Sequence, residues 1–401
     1  MHCGKEEELE AGRKMKTEGV YDVAIIGGGV CGSAIAYNLA KAGVKVALLE
    51  KGGICSGTTG TNPGFCVLTY REDPIVMEMA LRQRLEWNAL AEDLKIDLEY
   101  VETGGLIPIS NHRELDVLDH VAGNCRQWGL KEVALVTPER AVQQERALDP
   151  SQIIGALYCP WEGKINPFNL TIGMANMARQ LGAEIFIEDE VIAMEVNGHE
   201  VKALETSQRK IKADLFVCAA GAWTADVAAQ AGVDLPVLYE RGEAMVSIPL
   251  PPLIRGMVTD GQLFAVGENP PDRVIGACLG QTVTGNIVIA QATTDVDNYD
   301  CSSTLDGPRE VAQRVLKLFP KLDDLEILRM WGGIIAYTPD RAPLFGFPEN
   351  RKNLLAVVGF HSAIGIAPVL GKMVSDIFST GSAAYDVSAY SPLRFRSAEI
   401  R

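Results

Sequence analysis

The sequence predicts an α/β fold, in which a Rossmann-like βαβ domain with a GxGxxG turn is interrupted by an inserted, mainly β-sheet domain. Three observations support this prediction. The stretch "YDVAIIGGGVCGSAIAYNLAKAGVKVALLEK" combines an apolar run, a glycine turn, a helical stretch and a second apolar run. Segments of the same style return twice further along the chain. The chain has 401 residues, more than one hydrophobic core usually fills.

The first βαβ unit carries the pattern of a dinucleotide-binding site. The apolar run Val23–Ile26 predicts a buried strand and is followed by Gly27, Gly29 and Gly32 at GxGxxG spacing. The first glycine permits a tight turn, the second lets the backbone approach a pyrophosphate, and the third lets the helix pack close to the strand. The second strand ends at Glu50, whose carboxylate can accept hydrogen bonds from a ribose diol.

The parent domain is expected to be discontinuous. Between Val233 and Leu328 the pattern changes to short strands with Pro- and Gly-rich turns, which is typical of an inserted β-rich domain. We expect residues 21–103, 151–230 and 329–388 to form the dinucleotide-binding domain, and residues 104–150 and 231–328 to form a substrate or interface domain. Residues 1–20 are expected to be a solvated N-terminal extension, and residues 389–401 a C-terminal tail.

Composition and charge narrow the classes of partner. A hydrophobic content of 47% with 22% charged residues is typical of a globular enzyme. The net charge of -15 disfavours nucleic acid and anionic membrane surfaces, which would repel the chain. No apolar run approaches the roughly 18 residues of a membrane-spanning helix. The N-terminal "MHCGKEEELEAGRKMK" has no apolar core of a signal peptide, so a cytoplasmic location is expected.

The cysteines and histidines show no metal-binding pattern. The nine cysteines include no CxxC pair, and the five histidines include no HxxxH or HExxH grouping. Reduced thiols are expected. Cys31, Cys55, Cys66 and Cys218 lie within motifs in apolar surroundings, where they are expected to pack as small hydrophobic residues.

A polar loop follows the second strand. Glu50 by itself does not distinguish FAD from NAD as the dinucleotide. The segment "SGTTGTNPG", from Ser56 to Gly64, offers hydroxyl groups, an amide side chain and flexible backbone directly after that strand. These groups would supply a second set of polar contacts, as a longer cofactor requires.

Eight segments in order resemble the FAD-dependent oxidoreductases of the D-amino-acid oxidase type, a family that includes glycine oxidase, sarcosine oxidase and dehydrogenase, and related amine dehydrogenase subunits. They are the βαβ stretch, "GTTGTNPG", "GKINPFNLT", "VCAAGAW", "ERGEAMV", "QTVTGNIVIAQ", "WGGIIAYTPDRAPLFG" and "GFHSAIGIAP". The resemblance covers Tyr21 to about Ile377. It implies an extended FAD whose ring faces a cavity roofed by the β-rich insertion.

The resemblance also implies a set of cofactor-binding residues. The glycine turn and second strand would hold the ADP half, and the helix that follows the late glycine loop would point its N-terminus at the pyrimidine carbonyl, favouring the negative charge that builds on reduction. The implied residues are Gly27, Gly29, Val30, Cys31, Gly32, Glu50, Lys51, Thr58, Thr59, Asn62, Gly64, Val191, Ala220, Gly221, Trp223, Gly333, Gly359, His361, Ser362, Ala363, Ile364, Gly365 and Ile366.

The segment after Trp331 departs from the family pattern. In glycine oxidase an arginine two residues after the glycine of this strand pairs with the substrate carboxylate, whereas here Gly333 is followed by Ile334 and Ile335. A carboxylate would therefore need another partner. The candidates are Arg71, Arg241 and Arg329, although the pattern favours a surface or interdomain salt bridge over a substrate role for each of them.

Other candidates for the cavity are Tyr239 and Tyr337, whose hydroxyls could face substrate or whose rings could pack in the core. The loop "GFHSAIGIAP" contains no lysine, and His361 is the only histidine within a motif. The catalytic candidates are thus His361, Arg241 and Tyr337. His361, if protonated, is the residue that could supply a positive charge beside the flavin.

The favoured function is FAD-dependent oxidation of the C–N bond of a small amine or amino acid. Hydride would pass to flavin N5, and water would hydrolyse the imine. A dehydrogenase that passes electrons to an acceptor protein or quinone is expected, with room for a hetero-oligomeric assembly. The alternatives are a 2-hydroxy acid or polyol-phosphate dehydrogenase, which would need a base such as His361, and a flavin-binding subunit without a substrate of its own.

Overall fold

The computed structural model describes residues 17–71, 73–267 and 271–395. These residues form two large sheets, a small third sheet and the helices that cover them. The helices are α1 Val30–Lys41, α2 Thr58–Thr61, α3 Pro74–Leu94, α4 His112–Gln127, α5 Pro138–Gln144, α6 Pro167–Gln180, α7 Thr224–Ala229, α8 Asp306–Leu318 and α9 Ala367–Thr380. The strands are β1 Thr17–Ile26, β2 Val46–Leu49, β3 Phe65–Cys66, β4 Val101–Glu102, β5 Gly105–Ile109, β6 Ala134–Val136, β7 Gly155–Cys159, β8 Gly163–Lys164, β9 Glu184–Phe186, β10 Ala193–Asn197, β11 Glu200–Glu205, β12 Arg209–Cys218, β13 Leu238–Pro249, β14 Met257–Val258, β15 Arg273–Gln281, β16 Asn286–Val296, β17 Ile327–Tyr337, β18 Leu344–Gly346 and β19 Leu354–Val358.

The first sheet has the parallel centre expected of a βαβ fold. Its order is β10-β11-β12-β1-β2-β9, and β19 pairs in parallel with the end of β12. Strand β1 alternates between two cores: Val23 and Ile25 face the helical layer of α1, α3, α6 and α9, whereas Ala24 and Ile26 face the opposite side. Because both faces are covered there, the second half of β1, Val23–Ile26, is a continuous apolar run. The predicted α/β class is confirmed.

Local signals fix several element boundaries. Strand β1 ends at Ile26 and α1 begins at Val30, so the glycine turn lies where the sequence places it. Helix α3 begins after Asp73, whose side chain accepts hydrogen bonds from the backbone N–H groups of Ile75 and Val76. Pro74 in its first turn lacks the N–H that would otherwise be unpaired there. The predicted long helix near Pro74 to Leu94 is confirmed.

The second sheet has the order β17-β13-β16-β15-β14-β5-β7-β6 and is mostly antiparallel. Helix α8 packs on it through Val311, Val315 and Leu318. A buried ion pair between Asp260 and Arg314 joins the helix to the segment after β14. This sheet is the inserted β-rich layer, and its other face is turned toward the cavity described below.

Strand membership differs from the expected domain boundaries in two places. Strands β7 and β17 lie within the segments assigned to the dinucleotide-binding domain, yet both are hydrogen-bonded into the second sheet. Strand β17 pairs with β13 along nearly its full length, from Leu238 opposite Tyr337 to Ser247 opposite Ile327, with one register shift between Val246 and Ser247. At the N-terminus, residues 17–20 belong to β1 and are not a separate extension; residues 1–16 and 396–401 lie outside the described residues.

Among the described residues, no helix is long and apolar enough to cross a membrane, and no cluster of histidine, cysteine and carboxylate side chains could hold a metal ion. The cysteines in motifs are free thiols. Burial raises the pKa of Cys31, Cys66 and Cys218 to about 12, and that of Cys55 to about 11. They pack as small apolar side chains, as predicted.

Candidate functional site

A cavity of about 740 Å³ lies between the two large sheets. One part is lined by the glycine turn, the polar loop of α2 and the segment after β12, and another by residues of the second sheet. The predicted cofactor residues that line it are Gly27, Gly29, Val30, Cys31, Glu50, Lys51, Thr58, Thr59, Asn62, Val191, Ala220, Gly221, Trp223, Gly359, His361, Ser362, Ala363 and Ile364. Folding therefore brings most of the predicted set around one space.

The glycine turn has the geometry that its three glycines predict. Gly27 has φ +110°, a conformation that favours glycine, and a Cβ there would lie 2.4 Å from the carbonyl oxygen of Ala219. A Cβ on Gly32 would lie 1.9 Å from the carbonyl oxygen of Gly27. Gly29 is different, because a Cβ there would meet only Thr59 Oγ1, at 3.2 Å. Gly27 and Gly32 are thus required by packing, whereas Gly29 keeps open a surface of the cavity.

Glu50 ties the turn to the end of β2. Its two carboxylate oxygens accept hydrogen bonds from the backbone N–H groups of Gly28, at 2.6 Å, and Gly52, at 2.7 Å. Thr59 approaches the turn from α2, and its hydroxyl accepts a hydrogen bond from Val30 N at 3.1 Å. The polar loop and the N-terminus of α1 therefore meet at the position that a pyrophosphate would occupy.

The wall near Glu50 carries the charged lining residues. Lys51 Nζ lies 3.5 Å from the ring centre of Trp223, and Trp223 is stacked on Tyr299. Val191 also lines this wall, and its carbonyl accepts a hydrogen bond from Gln230 Nε2 at 3.2 Å. This end of the cavity suits the adenosine half of a dinucleotide.

The loop of residues 359–366 forms another wall. Gly359 has φ +80° and Ser362 has φ +49°, so the loop turns sharply before α9. Arg71 binds the back of the loop: its Nη1 donates to the carbonyl oxygens of His361, at 2.9 Å, and Ser362, at 3.4 Å. Arg71, which the sequence suggested either as a partner for a substrate carboxylate or as part of a structural salt bridge, supports the cavity wall through hydrogen bonds to backbone carbonyls.

His361 lines the cavity as a neutral imidazole. Burial, together with the positive charges of Arg71 and Arg341, lowers its pKa to about 3. The condition under which His361 could supply a positive charge beside the flavin, its protonation, is therefore not met at neutral pH. The cause is tertiary, since Arg71 is 290 residues away in sequence.

Tyr337 packs beside His361, with ring centres 5.8 Å apart, and lies behind the lining residues. Tyr70 is closer, with ring centres 4.6 Å apart, and does line the cavity. The guanidinium of Arg341 covers the ring of Tyr337 and pairs with Glu240 at 2.7 Å. Tyr337 is thus a neighbour of the site, and Tyr70 is an aromatic lining residue that the sequence did not single out.

The second sheet and the segment around β3 supply an uncharged part of the lining. Ile335 lies there, at the position where the family resemblance led us to look for an arginine. The other residues of this part, which sequence reasoning missed, are Phe65, Val67, Tyr70, Thr259, Leu263, Cys278, Ala290, Gln291 and Ala336. Their segments are apolar on both sides of each strand, so periodicity gives no signal of which side faces a cavity.

The structure places Arg241 away from the cavity. On β13, Arg241 shares a face with Tyr239 and Glu243, because alternate residues point to the same side. That face contacts the segment of residues 299–304, where Arg241 Nη1 lies 3.6 Å from Asp300. Arg329 is exposed on β17. This geometry gives no support to a contact between either arginine, or Tyr239, and a substrate in the cavity.

An Arg241→Met variant is accordingly expected to leave the KM for substrate unchanged and to lower the free energy of unfolding by about 1 kcal/mol or less. The reason is that the lost contact is an ion pair with an Asp300 side chain that is 55% exposed. Steady-state kinetics and urea unfolding would measure the two effects. A KM raised tenfold with stability intact would return Arg241 to the substrate site.

The remaining predicted residues contribute to packing around the site. A Cβ on Gly64 would lie 2.3 Å from the carbonyl oxygen of Ile165, and a Cβ on Gly333 would lie 2.1 Å from Thr61 Oγ1. Gly365 leaves room for Arg71 Nη2, and Ile366 is fully buried ahead of α9. These residues shape the walls without lining the space.

Comparison with known proteins identifies the family of this chain. The family described as "FAD dependent oxidoreductase" (DAO) matches residues 22–377. Glycine oxidase of Geobacillus kaustophilus is 29% identical over 384 residues, covering 93% of this chain and 97% of that protein. The crystal structure of L-proline dehydrogenase from P. horikoshii superposes with a TM-score of 0.86 at 29% identity, covering 96% of this chain and 100% of the other.

One further relative is a much longer protein, and another is named as a subunit. Mitochondrial dimethylglycine dehydrogenase of Rattus norvegicus is 25% identical over 93% of this chain, which spans only 45% of that protein's length. Sarcosine oxidase subunit beta of Rhodobacter capsulatus is 27% identical over 81% of this chain and 76% of that subunit. From the family match, the shared fold and the cavity at the glycine turn, the chain belongs to the FAD-dependent oxidoreductase family that contains glycine oxidase, and its cofactor is FAD.

Proposed function

We propose that this protein oxidises the C–N bond of a small amine or amino acid and passes the electrons to an acceptor other than oxygen. The observation that carries the proposal is that one cavity joins the dinucleotide turn to the uncharged walls of the second sheet. FAD bound along it would accept hydride from the substrate at the ring end. The relatives glycine oxidase, L-proline dehydrogenase and dimethylglycine dehydrogenase are named for amino acids or N-methylated amino acids.

The side chains at the uncharged end would orient and desolvate the substrate. Hydride can leave only from the neutral amine, and apolar walls such as Leu263, Ala290 and Ile335 disfavour the ammonium form. Thr259 and Gln291 supply hydroxyl and amide groups to position it. The imine that results leaves for water, which hydrolyses it to a carbonyl compound and an amine. Substrate orientation in this site needs no strong base.

The state of His361 also bears on the alternative, oxidation of a 2-hydroxy acid or polyol phosphate. That reaction needs a base to accept the hydroxyl proton. An imidazole whose pKa is lowered to about 3 is a poor acceptor at neutral pH. Among the lining residues of the uncharged end, no carboxylate or lysine offers a replacement in the described part of the chain. The lack of a strong base among these lining residues therefore supports the proposal of amine oxidation over the alternative.

Anaerobic bleaching of the flavin would test the substrate class. The FAD protein is mixed with amino acids, N-methyl amino acids, simple amines and hydroxy acids, and the flavin absorbance is followed without oxygen. Bleaching by an amine supports the proposal. Bleaching by a hydroxy acid alone would establish the alternative, and bleaching by none of them would indicate a flavin-binding subunit without its own substrate.

Slow reoxidation by air is a separate prediction. The transfer of one electron to oxygen builds a superoxide-like charge, which a fixed positive group in the cavity would stabilise. The loop of residues 359–368 has no lysine, and His361 is neutral. We expect rapid reoxidation by a phenazine dye and slow reoxidation by air, with the air rate unchanged in His361→Ala. Fast air reoxidation with stoichiometric hydrogen peroxide would contradict this proposal.

The acceptor is proposed to be a protein or a quinone, and the chain is proposed to work with partner subunits in a hetero-oligomer. The support is the likeness to a protein named as a subunit, sarcosine oxidase subunit beta. To test this, the tagged chain is purified from its own cells together with any bound proteins. The flavin is then reduced, and its reoxidation is followed without an added dye. A purified chain that is a homomer without any acceptor would argue against it.

A further inference from the structure

We propose that Arg71 is a positioning residue that sets the reduction potential of the bound FAD. Arg71 is 6% exposed and lies behind the loop of residues 359–366, outside the cavity. It binds the carbonyl groups of two lining residues, His361 and Ser362. The proposal concerns the cofactor and holds whatever the substrate is.

The hydrogen bonds from Arg71 determine how the loop presents its peptide groups. In a trans peptide the N–H points opposite to the C=O. Because the carbonyls of His361 and Ser362 both accept from Arg71, the N–H groups of Ser362 and Ala363 point away from it. Ser362 and Ala363 line the cavity. Arg71 thereby orients the backbone N–H groups of Ser362 and Ala363 at this wall of the cavity. There they would stabilise negative charge on a reduced flavin ring placed beside the wall.

This arrangement holds a residue in an uncommon backbone conformation. Ser362 has φ +49° and ψ +42°, a left-handed conformation that is strained for a residue other than glycine. The two carbonyl contacts of the Arg71 guanidinium offset that strain. Without them the loop is free to relax, and its N–H groups lose their orientation.

The charge of Arg71 is positioned to act as well. Although burial lowers its pKa to about 10, the guanidinium remains protonated at neutral pH. No salt bridge to Arg71 occurs among the residues that the structure describes, and its Nε has no hydrogen-bond partner there. Glu162 and Asp73 are near enough to interact with it electrostatically. Glu162 uses one oxygen to accept from the backbone N–H groups of Leu68 and Thr69 and from the Thr69 hydroxyl.

A buried positive charge behind oriented N–H groups stabilises the anionic, reduced form of the cofactor over the oxidised form. It therefore raises the reduction potential. A higher potential also makes the reduced flavin a weaker donor to oxygen, in keeping with slow air reoxidation. Because Arg71 lies behind the wall, it is not the positive group inside the cavity that would stabilise superoxide.

The test is the midpoint potential of FAD in the purified holoprotein, measured by anaerobic titration against a reference dye. Arg71→Gln removes the charge and keeps one amide donor, and we expect at least a tenfold fall in the two-electron reduction equilibrium, about 30 mV. Arg71→Lys keeps the charge and loses the two-pronged contact, so a smaller fall of about threefold is expected. The dissociation constant of oxidised FAD is measured alongside.

Two controls separate this role from general damage. Arg84→Met removes a nearby arginine that is already paired with Glu102, and it should leave the potential unchanged. Glu162→Gln keeps the accepting oxygen and removes any negative charge near Arg71. The reduction potential of FAD should therefore stay unchanged or rise. An unchanged potential in Arg71→Gln would overturn the proposal, as would an equal fall in Glu162→Gln. If Arg71→Gln does not retain FAD, an unchanged potential in Arg71→Lys would overturn it.

Discussion

A Gly29→Val variant is expected to fold normally and to contain no FAD. Gly29 has φ −74° and ψ −175°, which any residue can adopt, and a Cβ there would touch only the Thr59 hydroxyl. A valine side chain would instead fill the space between the turn and the polar loop, where the pyrophosphate must approach. We expect a binding loss of more than about 3 kcal/mol, over a hundredfold.

The flavin absorbance of the purified protein measures the loss of FAD, and its thermal unfolding measures whether the variant folds normally. The matched control is Gly32→Ala, at the third residue of α1, where the added Cβ would lie 1.9 Å from the Gly27 carbonyl oxygen. That smaller change should reduce the stability of the fold itself. Gly29→Val protein that carries stoichiometric FAD would show that the cofactor does not cross this turn.

Replacement of Asp260 by alanine is expected to lower the free energy of unfolding by about 3–5 kcal/mol, the cost of leaving one partner of a buried ion pair alone. Asp260 is fully buried, and both of its carboxylate oxygens accept from Arg314 at 2.7 Å. It also accepts from the backbone N–H of Ala277, at 2.9 Å. The change therefore leaves the Arg314 guanidinium with only the hydroxyl of Ser110, at 3.3 Å, among its described hydrogen-bond partners, and removes the side-chain acceptor of the Ala277 N–H on β15.

Urea unfolding of the protein would measure this effect. The control is Asp306→Ala, which breaks an exposed pair with Arg309 on the same helix as Arg314 and should cost less than about 1 kcal/mol. Thr259, Leu263 and Cys278 line the cavity around Asp260, so weaker FAD binding is expected to accompany the loss. If Asp260→Ala lowers the free energy of unfolding no more than Asp306→Ala does, the stabilising role given to the Asp260–Arg314 ion pair is contradicted.

The sequence predicted those parts of the site that depend on residues close together in the chain. The turn at Gly27 and Gly29, the helix after it and Glu50 lie within 30 residues, so their spacing reports their geometry. Helix α3 begins at Pro74 because Asp73 caps its first turn. The sheet partner of β17 had no such signal, because backbone pairing with β13 depends on a strand about 90 residues earlier.

Side-chain roles followed the same division. The expectation for His361 rested on its residue type, whereas its neutral state depends on burial and on two distant arginines. The expectation for Arg241 rested on its strand, whereas the side of β13 that faces the cavity is set by register with β16 and β17. A shift of register by one residue would have reversed that side.

By itself, the sequence determined the dinucleotide turn and the α/β class, because both depend on backbone conformations and spacings that neighbouring residues impose. The identity of the cofactor as FAD came from the resemblance of eight ordered segments to a known family. Only the tertiary structure decided which side chains line the cavity, that Arg71 supports the loop at His361, and that the second sheet provides an uncharged wall. The physical reason is that burial, charge and strand register arise from residues far apart in the chain, and a local pattern carries no information about them.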